Sequence, residues 1–134
     1  MSGFAQTSLT VKTWDGHNIV LGEPLTYVSD DGDTITVATG STSDGASTPR
    51  GIWAVMPPFG LGWPAYVLHD FLYRCTQLAK ARCDDLLLEA LLSLGVGALR
   101  AKVIYLGVKL GGASAFAADR AAQTVMHLKR VTIT

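Results

Sequence analysis

The sequence predicts an α+β domain: an N-terminal antiparallel β-meander of three to four strands, followed by a C-terminal cluster of three to four helices. Two observations carry this. Residues 1–40 fall into short runs of alternating apolar and polar residues separated by turn formers. From residue 64 onward, apolar residues instead recur at helical spacing. At 134 residues the chain has the length of one domain with one core. We divide it into a meander (1–40), a small-residue and apolar loop (41–63) and a helical part (64–129).

The strand candidates are "SLTVKTW", "HNIVL", "PLTYVS" and "TITVAT". The segments between them, "DGHN", "GEP" and "SDDGD", supply glycine for positive φ and Asp or Asn for local hydrogen bonds. "GSTSDGASTPRG", built of small and turn-forming residues, ends the sheet. Residues 51–68, "GIWAVMPPFGLGWPAYVL", carry no charge, but Pro57, Pro58, Gly60, Gly62 and Pro64 forbid a continuous helix, so the stretch is an apolar loop leading into one. Pro64 fits the first turn of a helix that runs to about residue 80. A second helix is expected from about residue 82, with Asp84 and Asp85 in its first turn, to Gly95. A third spans about 98–110, and Gly111 and Gly112 separate it from a last helix over 114–129.

Composition excludes several roles. Eleven basic and eleven acidic residues cancel, so no long-range field gathers nucleic acid or anionic lipid, and no nucleic-acid partner is expected. Only 16% of residues are charged while 49% are hydrophobic, which points to apolar surface covered by a partner or a membrane. Residues 51–68 are the candidate for membrane-surface contact. No uninterrupted apolar run is long enough to span a bilayer, and no signal segment is expected. Cys75 and Cys83 lack a C-x-x-C spacing and read as reduced, helix-borne thiols. Phosphate loops, serine-hydrolase elbows and paired-histidine zinc motifs are missing.

The polar residues of "WPAYVLHDFLYRC" stand out against this background. On a helix, His69 and Tyr73 share a face, while Asp70 is turned away and lies one turn before Arg74. An imidazole among apolar neighbours needs a hydrogen-bond partner. Asp84 is the candidate, carried back against the first helix by a helical hairpin. Asp44 begins the "DGASTPR" turn, and Ser47 there reads as a backbone-bonding turn residue rather than a nucleophile. Arg50 is a natural pin, because a guanidinium forks two hydrogen bonds to a carboxylate. His17 and His127 read as solvated or capping residues.

"TVATGSTSDGASTPRGIW", "PPFG", "AYVLHDFLYR" and "CDDLLLEALLSLGV" resemble a phage and prophage family, the domain of unknown function thirteen fifty-three. Asp44, Ala46, Ser47, Pro49 and Arg50 match its loop motif; His69, Asp70, Leu72 and Tyr73 its H-D-x-L-Y element; Asp84, Glu89 and Ala90 its following helix. The chain departs from the pattern at Ser41, Cys83 and Leu91. The resemblance implies a phage-encoded protein, located in the host cytoplasm or the virion, and it implies no reaction.

The H-D-x-x-Y spacing with a later Asp is also similar to secreted and parvoviral phospholipase A-two. That resemblance implies His69 as base, Asp84 as its orienting acid, Tyr73 as a donor to that acid, and Asp70 as ligand of a divalent metal, calcium first, with "PFGLGWP" in place of the glycine loop; apart from the resemblance, Asp44 in its small-residue loop is a candidate further oxygen ligand. The chain departs from it at Trp63, where the analogue's prefix has Asp. Two functions follow as expectations. One is hydrolysis of a bacterial envelope ester or amide. The other is a virion, tail or assembly protein that binds other phage proteins, in which Asp44, Arg50, His69, Tyr73 and Asp84 form a hydrogen-bond network and catalyse nothing. Arg74 pairs with Asp70 in that second reading.

Overall fold

The computed structural model describes residues 2–5, 11–13, 19–43 and 61–134. Within them the fold is α+β, as the patterning predicts. Its strands are β1 (Gly3–Phe4), β2 (Val11–Thr13), β3 (Ile19–Leu21), β4 (Leu25–Val28), β5 (Thr34–Val37), β6 (Thr42–Ser43) and β7 (Val131–Ile133). Its helices are α1 (Trp63–Cys75), α2 (Lys80–Ser93), α3 (Ala98–Gly111), α4 (Ala113–Ala121) and α5 (Val125–Leu128).

The strands form two sheets rather than one meander. An antiparallel four-stranded sheet has the order β1-β4-β5-β7, and a three-stranded sheet the order β2-β3-β6. The β4–β5 hairpin fixes the register, with Leu25 opposite Val37 and Tyr27 opposite Ile35. Its turn depends on Gly32 at φ +89°. The Gly32 amide donates to the Ser29 carbonyl, and the Ser29 hydroxyl accepts from the Asp33 amide. Leu25, Tyr27, Ile35 and Val37 alternate inward and are fully buried, which is the period-two signature realised.

Helices α1 and α2 supply most of the rest of the core: Leu68, Phe71 and Leu72 from one, Leu86, Leu87 and Leu91 from the other. Each such side chain contributes about 1.5–3 kcal/mol of burial. Glu89 joins the layers, its carboxylate accepting from the Tyr27 hydroxyl at 2.7 Å and the Asp30 amide at 2.9 Å.

Boundaries differ from the sequence reading in three places. Helix α1 ends at Cys75, not near residue 80, because the Thr76 hydroxyl takes the Leu72 carbonyl (2.6 Å) and Thr76 itself is extended. Helix α2 therefore begins at Lys80, so Asp84 lies in its second turn rather than its first. The expected last helix is two pieces, α4 and α5, and is followed by β7, a strand the sequence reading did not include. Thr124 separates the pieces, its hydroxyl accepting from the His127 amide while His127 Nδ1 accepts from the Thr124 amide, so His127 caps a helix.

Candidate functional site

The site begins with α1. Pro64 sits in its first turn, where a missing amide proton costs nothing. Valine, leucine and phenylalanine between the polar positions drive the helix into the core and carry His69, Asp70 and Tyr73 inward with them. One turn apart, His69 and Tyr73 bring their rings to 4.2 Å between centroids, with the planes tilted by 51°. Phe116 of α4 meets the other side of the Tyr73 ring edge-on at 5.1 Å.

Helix α2 brings Asp84 to both. His69 Nε2 lies 2.8 Å from Asp84 Oδ1, and the Tyr73 hydroxyl donates to the same oxygen at 2.6 Å. The other oxygen, Oδ2, accepts from Lys80 Nζ at 2.6 Å, one turn earlier on α2. Lys80 also donates to the carbonyls of Val108 (3.1 Å) and Lys109 (3.3 Å), so it caps the C-terminal end of α3 while neutralising Asp84. The His69 and Asp84 side chains are each 2% exposed.

The electrostatics follow from this crowding. Burial alone would raise the Asp84 carboxyl, but donors from His69, Lys80 and Tyr73 outweigh it and hold the group below the ordinary aspartate value of 3.8. Burial first, then the Asp84 carboxylate, push the Tyr73 phenol well above its ordinary range, so it remains a donor. An ionised Asp84 can only accept, so His69 Nε2 donates in either charge state of the ring, and in the neutral imidazole Nδ1 holds the lone pair.

Asp70 faces elsewhere. Its carboxylate pairs with Arg74 at 3.2 Å, and Arg74 also donates to the Thr42 carbonyl at 2.8 Å, which fastens α1 to β6. Thus His69, Tyr73 and Asp84 converge, whereas Asp70 joins Arg74. Asp44, Ser47, Arg50 and His17 lie outside the described residues, as do residues 51–60 of the apolar stretch. Among the described residues no group of three His, Cys, Asp or Glu side chains could hold a metal, and Asp70 is engaged by Arg74.

Two members of the site escaped the sequence reading. Lys80 had a local signal, its i,i+4 spacing to Asp84. Arg120 of α4 had none. Its guanidinium lies 4.5 Å from the Phe116 ring centroid, and it donates to the carbonyls of Tyr73 (2.8 Å), Leu72 and Leu78. Together with Gln123, which donates to Arg74 (3.1 Å) and Thr76 (2.6 Å), it satisfies the carbonyls that the end of α1 leaves open. Gly112, between α3 and α4, permits the close fit: a Cβ there would lie 2.6 Å from the Val108 carbonyl oxygen and 3.2 Å from the Tyr73 hydroxyl.

Burial pushes the Cys83 thiol up to about 12 and the Cys75 thiol up to about 11, so both are inert packing groups. An open depression lined by Asp30, Asp85, Glu89 and Ser93 lies elsewhere and includes neither His69 nor Asp84. Among the described residues no helix is long and apolar enough to cross a membrane.

Compared with known proteins, the chain matches one family model, described as "Protein of unknown function (DUF1353)", over residues 19–108, more than half its length. No curated protein and no solved structure matches it.

Proposed function

The chain belongs to the DUF1353 family, a membership that names no reaction; from the side-chain geometry we propose that His69 is the general base of a phage-encoded hydrolase acting on an ester or amide of the bacterial envelope. One observation carries the reading. A single carboxylate oxygen of Asp84 receives both His69 Nε2 and the Tyr73 hydroxyl, a geometry that fixes the imidazole and leaves Nδ1 as its basic nitrogen. Nδ1 takes a proton from water as the oxygen attacks the carbonyl carbon, a step that requires the ring, 2% exposed in this structure, to open to water and substrate. The same proton then passes to the departing alkoxide or amine as the tetrahedral intermediate collapses. Asp84, held ionised by Lys80 and Tyr73, steadies the transient imidazolium. These steps use the chain's own residues and route none through a metal.

A second reading, a virion or assembly protein in which the cluster is a structural lock, is favoured by the 2% exposure of the His69 side chain. It also draws on the finding that no buried side-chain polar atom among the described residues lacks a partner. His69→Gln separates the two, since an amide NH still reaches Asp84 while the base is removed. Assayed on envelope lipid and peptidoglycan substrates with and without calcium, the hydrolase reading expects a loss of about 10²–10⁴-fold at nearly unchanged melting temperature. A large drop in melting temperature, with neither protein hydrolysing any substrate, establishes the lock instead.

A further inference from the structure

Helix α3 is apolar on two opposite sides. Ala101, Ile104 and Val108 form its packed face. Leu99, Val103, Leu106 and Leu110, spaced by four, three and four residues, form a second stripe directly across the helix, and they are 81%, 46%, 41% and 81% exposed. A stripe that regular, on a helix already anchored by its other face, is a surface awaiting a cover.

The charges of α3 say which. Lys102 and Lys109 line one flank of the stripe and Arg100 the other, and the segment "ALRAKVIYLGVKLG" contains no acid. A second copy laid along the same stripe would bring cations against cations with nothing from α3 to offset them. An anionic bilayer meets every one of these groups: leucines and valine enter the acyl boundary while the lysines reach the phosphates. The chain's zero net charge supplies no long-range attraction, so binding has to come from this local patch.

We propose that the exposed face of α3 is a docking surface for anionic phospholipid, on which the helix lies in the plane of the interface. The inference does not use the His69–Asp84 pair, and its readout is binding rather than hydrolysis.

Co-sedimentation of the full chain with phosphatidylglycerol-containing vesicles, and with pure phosphatidylcholine vesicles, tests it. The wild-type protein should pellet with the former and stay soluble with the latter. Lys102→Glu with Lys109→Glu should lower the partition coefficient about tenfold or more. Val103→Glu with Leu106→Glu should abolish binding, and Leu99→Glu with Leu110→Glu, at the two side chains that are 81% exposed, should do so at an unchanged melting temperature. Three results overturn the proposal: no pelleting of wild-type protein with anionic vesicles; equal pelleting with phosphatidylcholine and no response to the lysine changes; or a wild-type dimer in solution that Val103→Glu with Leu106→Glu makes monomeric, which would give the stripe to a second copy.

Discussion

Asp84 gathers three side-chain donors from two helices on its two carboxylate oxygens. Removing the acid strands a lysine beside a buried imidazole and phenol. Asp84→Ala should therefore cost about 3–5 kcal/mol in denaturant unfolding, the usual penalty for breaking a buried ion pair from one side. The pH dependence has a definite sign. The folded-state value of Asp84 is depressed, so its contribution is complete above the ordinary value of 3.8 and fades as pH falls through the lower folded value. Wild-type stability should accordingly drop on acidification below about pH 4, and the Asp84→Asn protein should lack that part of the decline; parallel acid limbs for the two proteins would contradict the assignment. This residue-scale arrangement was largely legible. A histidine in an apolar helix demanded a partner, and a hairpin offered Asp84. Lys80 was hidden because the sequence reading ran α1 on to about residue 80, and Thr76, whose hydroxyl ends α1, looks like any other polar residue in a helix.

At the scale of elements, α1 is held at its C-terminal end from a distance in sequence that no local pattern reveals. Arg120 and Gln123 reach the carbonyls of Leu72, Tyr73, Leu78, Arg74 and Thr76. They do what a C-capping glycine does elsewhere in the chain: at the end of α2, Gly95 adopts φ +87° and lets the Val96 amide reach the Leu91 carbonyl. Arg120→Leu keeps aliphatic bulk against Phe116 but withdraws every donor. It should destabilise the protein by about 2–3 kcal/mol, with faster amide exchange focused on the last turn of α1 and on α4. Uniformly accelerated exchange, or none, would show that the clasp is dispensable. The strand alternation of Leu25, Tyr27, Ile35 and Val37 was readable because burial on one face writes a period of two into the sequence. The break between α4 and α5 was not, since Gln123 and Thr124 carry neither glycine nor proline to mark it.

For the whole molecule, the β7 pairing matters most. The edge of β5 is filled by Val131–Ile133, in register with Val37, Thr36 and Ile35, and the Thr34 and Thr134 backbones exchange two hydrogen bonds. A chain ending at Arg130 should expose that edge, lose several kcal/mol by the same backbone accounting, and associate at high concentration in light scattering, whereas the full chain should not. An α+β architecture was predictable from strands written before helices; a strand of three residues after the last helix was not, because "VTI" is too short to display a period. The non-sequential order β1-β4-β5-β7 was equally invisible, as strand pairing depends on which edges the helices leave open.

That order has a bearing on biosynthesis. A ribosome delivers β5 early and its neighbour β7 only after all five helices have left the exit tunnel. The β5 edge is thus sealed late, by a strand that follows α5 in the chain. Until then the nascent molecule carries an unfinished β-edge, and a chaperone that shields such an edge would be most useful in the interval before residues 131–133 emerge from the tunnel.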